Sequence, residues 1–481
     1  MNARTRALFT PATLVAAAAA AVAFAYFGIE RKDEAKQARE ESQAKLYSFA
    51  PALVKSVELT AKGSSTRLVR AGEGWRLEKP VQADGDRSAV EALVNAVSEL
   101  KRKSAIADRP EATQLAQYGF SSPRAKVTLT LEDGRQETLA LGDENEFDGT
   151  TFVRVSSGAI ALVPGEIRWP IEKSTFDMRE KRLLPFEERD LARIEVATPT
   201  LAYALARDEA ADGGWRLDSP VKGAADASTT SRVVGAIRGL RATAFVGGGG
   251  KDAAGALERP RFTVRLVPAK GAPRTLVLGP APAGKKEEKS PSPLYARLAG
   301  SAEVATVAGD ATKDLEVDLF ALRDKRVLRF DRDAVAAVRF GGAAAFEVRE
   351  VAAGGAGPEA WKVVAAGDPA VAPGKMDSVL WTLSSLKAKA FADERGATSA
   401  AYGLDHPALE VTLLDREGKE LDRLAVSSPR GGRTYARGNR SARIDEIEGS
   451  ALASLPKSAD DLREKAAQPG PRAQAGEKQG R

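Results

Sequence analysis

Three arginines recur at one position in a chain that otherwise offers little for chemistry. They close the triplets Phe152-Val153-Arg154, Tyr295-Ala296-Arg297 and Tyr435-Ala436-Arg437. A guanidinium is a rigid fork of donors that matches carboxylate or phosphate oxygens two at a time. One reading is therefore an anion or partner contact repeated along the chain. The other is a strand residue on the solvent face, paired with a neighbouring acid. Trp75, Trp215 and Trp361 pose a similar choice, between an aromatic ligand platform and core anchors packing a hairpin on a helix. Core anchoring is the expectation, and Tyr118 and Tyr402 are expected to anchor turns.

Other site chemistry is sparse. The single histidine, His406, lies in a turn where the first copy has Ser122, and one histidine makes no metal cluster. The chain has no cysteine, which excludes disulfides, thiolate metal sites, a lipoprotein acyl site and cysteine catalysis. No Gly-x-Ser-x-Gly, Walker A or zincin motif is present. Asp133 and Asp415 sit in strand-to-strand turns, where aspartate helps the backbone turn locally. No catalytic residue, metal ligand or cofactor is assigned, and a carboxylate hydrolase is the minor alternative. Lysine and arginine number 72 against 66 acids, a net charge of +6. The two signs are mixed without a basic block, so nucleic acid is not an expected partner.

The elements behind these residues come in three copies. Trp75-Arg76-Leu77-Glu78-Lys79-Pro80 returns as Trp215-Arg216-Leu217-Asp218-Ser219-Pro220 and, more weakly, as Trp361-Lys362-Val363. Repetition on this scale sets the architecture. Downstream, Val90, Leu93, Val94, Val97 and Leu100 map onto Thr230, Val233, Val234, Ile237 and Leu240, then Met376, Val379, Leu380, Leu383 and Leu386. That spacing is one face of an amphipathic helix. Asp84 or Asp86, and Asp226 or Ser228, are its candidate N-caps. Alternating segments broken by glycine precede each tryptophan and read as hairpins. A Tyr-Gly turn follows the helix at Tyr118–Pro123 and Tyr402–Pro407. The middle copy keeps only Leu257-Glu258-Arg259-Pro260. Then come a strand, a Leu-x-Leu-Gly strand (Leu139–Gly142, Leu276–Gly279, and Leu424–Ser427 without the glycine) and the aromatic-led strand. Each copy closes on a charged segment, Arg179–Arg182, Arg323–Arg326 or Arg463–Lys465. These segments are expected to be helix ends and inter-domain ion pairs.

The expected fold is α+β, with three tandem domains of antiparallel meander plus helix at 51–186, 187–330 and 331–465. In series they imply an elongated rod. Leu8–Ile29 is uncharged and long enough, at about 33 Å, to span a bilayer as a helix. It reads as a transmembrane helix after a cytoplasmic segment 1–7. A cleaved signal peptide is the alternative. Residues 30–50 read as a charged stalk and 466–481 as a disordered tail.

The Trp…Pro segment, the helix, the Tyr-Gly-Leu-Asp-x-Pro turn, the Leu-x-Leu-Gly strand and the Arg-Asp-Lys-Arg closure together resemble the bacterial domain of unknown function 4340 family. The resemblance covers Pro51 to Lys465. The second copy departs by lacking the Tyr-Gly pair, the third by Ser427. It implies a membrane-anchored protein without assigned catalytic residues. By analogy it implies an accessory of an ABC-type export or gliding-motility-like envelope system. The expectation is a single-pass bacterial inner-membrane protein with periplasmic domains, acting as scaffold or adaptor. Its partners would be envelope proteins, ABC transporter subunits among them. A periplasmic carbohydrate- or lipid-binding module is the second reading, with Arg154, Arg297 and Arg437 as anion contacts. The sequence leaves the oligomeric state open.

Overall fold

The computed structural model describes residues 44–247, 250–282, 291–342, 345–351, 360–364, 369–394 and 399–463. The expected membrane helix at 8–29, the stalk up to residue 43 and the tail lie outside the described residues. Among the described residues, no helix is long and apolar enough to cross a membrane.

In the first repeat, alternation of apolar and polar side chains, interrupted at Lys55-Ser56 in the first strand, marks the strands. They are β1 (Val54–Ala61), β2 (Ser64–Ala71), β3 (Gly74–Lys79) and the short β4 (Ala83–Asp84). Helix α1 (Arg87–Ser98) starts on Asp86, whose carboxylate accepts from the Ala89 amide at 3.1 Å. It buries Val90, Leu93, Val94 and Val97. Beyond it lie β5 (Ser104–Ala107), α2 (Ala112–Gln117), β6 (Ala125–Leu131), β7 (Gln136–Glu144), β8 (Thr151–Val155) and β9 (Ile160–Val163). Two one-turn helices follow, α3 (Arg168–Ile171) and α4 (Thr175–Met178). The sheet order is β4-β3-β2-β1-β6-β7-β8-β9-β5. β1 and β6 lie antiparallel at its centre, with Val57 opposite Leu129. Helix α1 thus leaves one edge of the sheet and delivers the chain to the other edge, at β5. Burying one face of α1 against one face of the sheet forms the core.

The second repeat builds the same series: β10 (Leu191–Ala197), β11 (Ala202–Arg207), β12 (Trp215–Ser219), β13 (Gly223–Ala224), α5 (Ala227–Arg238), β14 (Ala244–Phe245), α6 (Gly250–Glu258), β15 (Phe262–Pro268), β16 (Arg274–Pro280), β17 (Leu294–Leu298), β18 (Ala305–Val307) and α7 (Leu319–Leu322). The third repeat has β19 (Ala337–Gly341), β20 (Phe346–Val351), β21 (Ala360–Val363), α8 (Lys375–Ser385), β22 (Ala388–Asp393), β23 (Leu409–Leu414), β24 (Glu420–Val426), β25 (Thr434–Gly438) and β26 (Ile444–Ile447). Its sheet runs β21-β20-β19-β23-β24-β25-β26-β22. Three antiparallel sheets, each with its helix, make the chain α+β. Every helix-face position named above is buried in all three copies.

The chain gathers into two compact units, not one per repeat. One falls within Met1–Pro185, Gly239–Pro260 and Leu276–Ala311. The other falls within Phe186–Arg238, Arg261–Thr275 and Thr312–Arg481. The second repeat is divided between them. Each of its halves is tied to a neighbouring repeat by a charged arm, described below.

Candidate functional site

The three recurrent arginines occupy equivalent strand positions. Arg154 stands opposite Ala140, Arg297 opposite Val277 and Arg437 opposite Ala425. Each lies on its own sheet, on the face turned away from the helix, because Val153, Ala296 and Ala436 beside them point into the core. Their surroundings differ. Arg154 is exposed and its Nε reaches the Gly158 carbonyl at 3.4 Å. Arg297 is half-buried. Arg437 donates to Ser399 Oγ at 2.7 Å and lines a groove of about 710 Å³ with Asp405, Glu410, Glu420, Arg423 and Asn439. Within that groove Arg423 is paired with Glu420 and, at 3.4 Å, with Glu410. An incoming anion would have to displace those carboxylates.

The tryptophans pack as anchors to different depths. Trp75 and Trp215 are buried, whereas Trp361 is only partly covered. Trp215 Nε1 donates to Glu188 at 2.8 Å, while the equivalent Trp75 Nε1 is buried without a partner. Tyr118 packs against Phe152 in a tilted pair with 4.5 Å between ring centres, and Tyr402 meets Tyr435 edge-on at 5.0 Å. The glycine of Leu-x-Leu-Gly has a steric reason. A Cβ on Gly142 would lie 2.1 Å from the Tyr118 carbonyl oxygen. On Gly279 it would lie 2.1 Å from that of Ala256, in the helix α6 that replaces the tyrosine turn in the middle copy.

The closing segments form the most elaborate constellation, and it is built twice with the same bonds. After α4, the carbonyl of Met178 accepts from Asp86 N at 2.9 Å, and Glu180 N donates to Asp84 O. Lys181 Nζ reaches the Asp86 carboxylate, the N-cap of α1, at 3.4 Å. The arm then pairs with the segment ahead of β14. Ala242 N donates to Lys181 O at 2.8 Å and Leu183 N to Leu240 O at 3.0 Å. Arg179 lies over the Phe245 ring at 3.5 Å and forms an ion pair with Glu303. The second joint repeats this. Asp226 N donates to Leu322 O, Asp324 N to Ala224 O, and Lys325 pairs with the N-cap Asp226 at 3.1 Å. Ala388 N donates to Lys325 O at 2.7 Å and Val327 N to Leu386 O at 3.1 Å. Arg323 lies over Phe391 at 4.4 Å and pairs with Glu394 at 2.6 Å.

A third arm enters the first repeat. Arg102 N donates to Ala44 O at 2.8 Å and Leu46 N to Leu100 O at 2.9 Å. Ala44-Lys45-Leu46 therefore sits on Leu100–Arg102 as Lys181-Arg182-Leu183 sits on Leu240–Ala242. Tyr47, Leu184 and Leu328 are the buried residues that follow. The Tyr47 hydroxyl donates to the Thr138 carbonyl, and burial pushes its pKa up. The first repeat has Ala105 where the others have Phe245 and Phe391, so the aromatic clasp exists only where a repeat precedes.

The two clasps differ in charge. By register, Arg443 occupies the place of Glu303, and Asp445 that of Ala305. Arg443 stacks on Phe391 at 4.2 Å and donates to the arm carbonyls of Asp324 (3.1 Å) and Arg326 (3.3 Å). It also binds Asp445 through two nitrogens, at 2.7 and 3.2 Å. Asp445 is 2 % exposed, and burial pushes its pKa up to about 6 against the pull of Arg443. Burial also pushes Asp324 up, but the bonds from Arg326 outweigh it and hold the carboxyl below its ordinary value. The same balance, through Ser228, the Thr229 amide and Lys325, holds Asp226 low.

The charged arms were expected as ion-paired helix ends. Phe245, Phe391, Glu303, Arg443, Asp445 and the entry arm were not foreseen. The available signal was the short echo Lys45-Leu46-Tyr47-Ser48-Phe49, Arg182-Leu183-Leu184-Pro185-Phe186 and Arg326-Val327-Leu328-Arg329-Phe330. Among the described residues, no group of three or more His, Cys, Asp or Glu could hold a metal ion.

A family model described as a domain of unknown function, DUF4340, matches three times, over residues 75–258, 215–359 and 361–473. No curated protein matches the chain. Among solved structures, a DnaN sliding clamp (DNA polymerase III subunit beta) from Pseudomonas aeruginosa, bound to griselimycin, aligns at 9 % identity. The alignment covers 85 % of this chain and 94 % of that one, with a TM-score of 0.15, too low to carry an argument about fold or function.

Proposed function

The chain belongs to the DUF4340 family, and on that premise we propose that it is a membrane-anchored periplasmic scaffold or adaptor, accessory to an ABC-type export or gliding-motility-like envelope system. The observation that carries this reading is the joint. The same pairing of arm and edge is made at Leu100–Arg102, Leu240–Ala242 and Leu386–Ala388. Within each compact unit an arm is thereby docked on its neighbouring repeat by backbone bonds and buried anchors, as suits a binding scaffold. The uncharged stretch at 8–29 is long enough to serve as the anchor. The reading assigns no catalytic residue.

The test is made in native membranes. The protein should stay with the inner-membrane fraction after alkaline wash, and its repeats should be cut by protease only from the periplasmic side. Crosslinking should recover ABC transporter subunits. A protein released by the wash, or protected from periplasmic protease, refutes the topology. Crosslinking that captures no envelope protein refutes the adaptor role. The second reading, a carbohydrate- or lipid-binding module, is favoured only by the groove around Arg437.

A further inference from the structure

Phe147 and Trp169 are the two most exposed large apolar side chains among the described residues, at 100 % and 75 %. Both belong to the first repeat, and they stand on segments packed against each other. Phe147 lies in the loop from β7 to β8. The Gly149 carbonyl of that loop is so close to Gly165 that a Cβ there would come within 2.1 Å of it. Arg168, beside Trp169 in α3, forms an ion pair with Glu144 at the foot of the loop. Ile171, fully buried, roots the helix. The other repeats have no such pair. Counted from the equivalent glycines, Gly309 and Gly449, the place of Trp169 holds Lys313 and Ala453, and the loops 281–293 and 427–433 contain no aromatic residue. We propose that Phe147 and Trp169 form a membrane-contact site, through which the first repeat inserts aromatic side chains into the headgroup layer of the bilayer that holds residues 8–29. This rests on the reading of 8–29 as a membrane anchor.

The covalent route from that anchor selects the occupant. Residues 30–43 are all the chain between the apolar stretch and Ala44. Even fully extended, they reach about 50 Å, so the first repeat cannot stray further than that from the bilayer. The chain also enters at the end of the sheet that carries both aromatic residues. There β7 ends, β8 begins and β9 ends, with Thr151 opposite both Glu144 and Val163. Lys103 N donates to the Leu162 carbonyl at that end, and the adjacent Arg102 N donates to the carbonyl of Ala44. Helix α3 follows the same end of β9. Aromatic side chains are favoured at headgroup level. Two rings bind a bilayer weakly by themselves, but a tether makes their insertion intramolecular and raises the local concentration of lipid they meet. The flanking charges are of both signs, Glu146 and Asp148 beside Phe147, Arg168 beside Trp169. The contact is therefore apolar and should withstand salt.

The chain has no cysteine, so a single introduced thiol reports a single position. Full-length Glu146→Cys and Ser157→Cys proteins are labelled with a fluorophore and reconstituted in vesicles of phosphatidylethanolamine and phosphatidylglycerol. Lipid brominated in the upper acyl chain serves as the quencher. Ser157 lies in the turn from β8 to β9, at the opposite end of the sheet. Quenching should be at least about threefold stronger at 146 than at 157, in low salt and in high. Adding Phe147→Ser and Trp169→Ser to the Glu146→Cys chain should lower quenching to the level at 157, while the chain still floats with the vesicles. Flotation reads the anchor separately. A floating chain whose quenching falls short of that ratio overturns the contact site and leaves the anchor reading standing. A chain that does not float overturns both. Quenching that survives the double replacement overturns the assignment to these two rings. Burial of the fluorophore only when native envelope proteins are added gives the face to a protein partner and likewise overturns the proposal.

Discussion

Replacing Phe391 by alanine should open the second joint without unfolding the repeats it connects. The ring carries two contacts across the joint, Arg323 at 4.4 Å and Phe320 at 4.8 Å between ring centres, and meets Arg443 of its own repeat at 4.2 Å. The Arg323 guanidinium contact contributes about 0.5–1 kcal/mol. The aromatic pair adds about 0.5–1.5 kcal/mol. Contacts that share one ring are not strictly additive, so the expected loss is about 1–2 kcal/mol in the free energy of local opening. That corresponds to roughly 5- to 30-fold faster exchange at the amides of Val327 and Ala388. Phe391 lies at a sheet edge, so slow amides at the centre of the third sheet, such as Val411, should change far less. The experiment is site-resolved hydrogen exchange on native and F391A protein at one pH. If Val327 and Ala388 stay within about threefold of native, the clasp does not hold the joint. If Val411 accelerates in step with them, the ring is core packing and the separation of joint from fold is wrong.

Phe245→Ala should act in the same sense on Leu183 and Ala242 but more weakly, because that ring meets one guanidinium, Arg179, and Phe176 at 5.8 Å. Gly142→Ala should cost about 2–4 kcal/mol in urea denaturation, since the added carbon collides with a backbone oxygen that cannot rotate away. Asp226→Ala removes an N-cap and the partner of Lys325 together, so it should destabilise more than the roughly 1 kcal/mol of a simple cap, read by the same denaturation. Because Asp226, Asp324 and Glu394 are held low, their contribution is present above the ordinary carboxyl range. Melting temperature should therefore fall as pH drops from 4 towards 2.5. Joint replacement of Arg154, Arg297 and Arg437 by alanine should leave the melting temperature within about 2 °C, since single exposed pairs contribute little. A larger drop would mean that the outer faces bear structural load.

Much of the fold can be read from the sequence because the core repeats with a period. The helix face from Val90 to Leu100 and its two counterparts needs no gap, and every member is buried. The Leu-x-Leu-Gly strand was legible as a strand, though the reason for its glycine, a carbonyl pressed against it, is a tertiary fact. The central pairing of β1 with β6 joins strands far apart in the chain, and no local pattern encodes it. The joints were hard to see for another reason. A run such as Arg-Glu-Lys-Arg has the composition of a solvated surface, yet Arg179 is 7 % exposed because Phe245 covers its guanidinium. The receiving aromatic lies in a two-residue strand too short to show alternation. Asp445 sits in Ile444-Asp445-Glu446-Ile447, which reads as a half-exposed strand, yet Asp445 is buried.

The entry arm at Ala44–Phe49 bears on how such a chain could be cut or lengthened. The natural cassette begins at an arm and ends before the next one, not at the first strand of a sheet. A piece trimmed to start at Val54 would lose Tyr47 from its core and leave the amides of Arg102 and the carbonyl of Leu100 unpaired on a strand margin. Exposed margins of that kind invite pairing with any extended segment in reach and favour aggregation. A repeat grafted into a new series should accordingly travel with the arm that precedes it. Its receiving position should carry a phenylalanine when it follows another repeat, and can be alanine when it stands first.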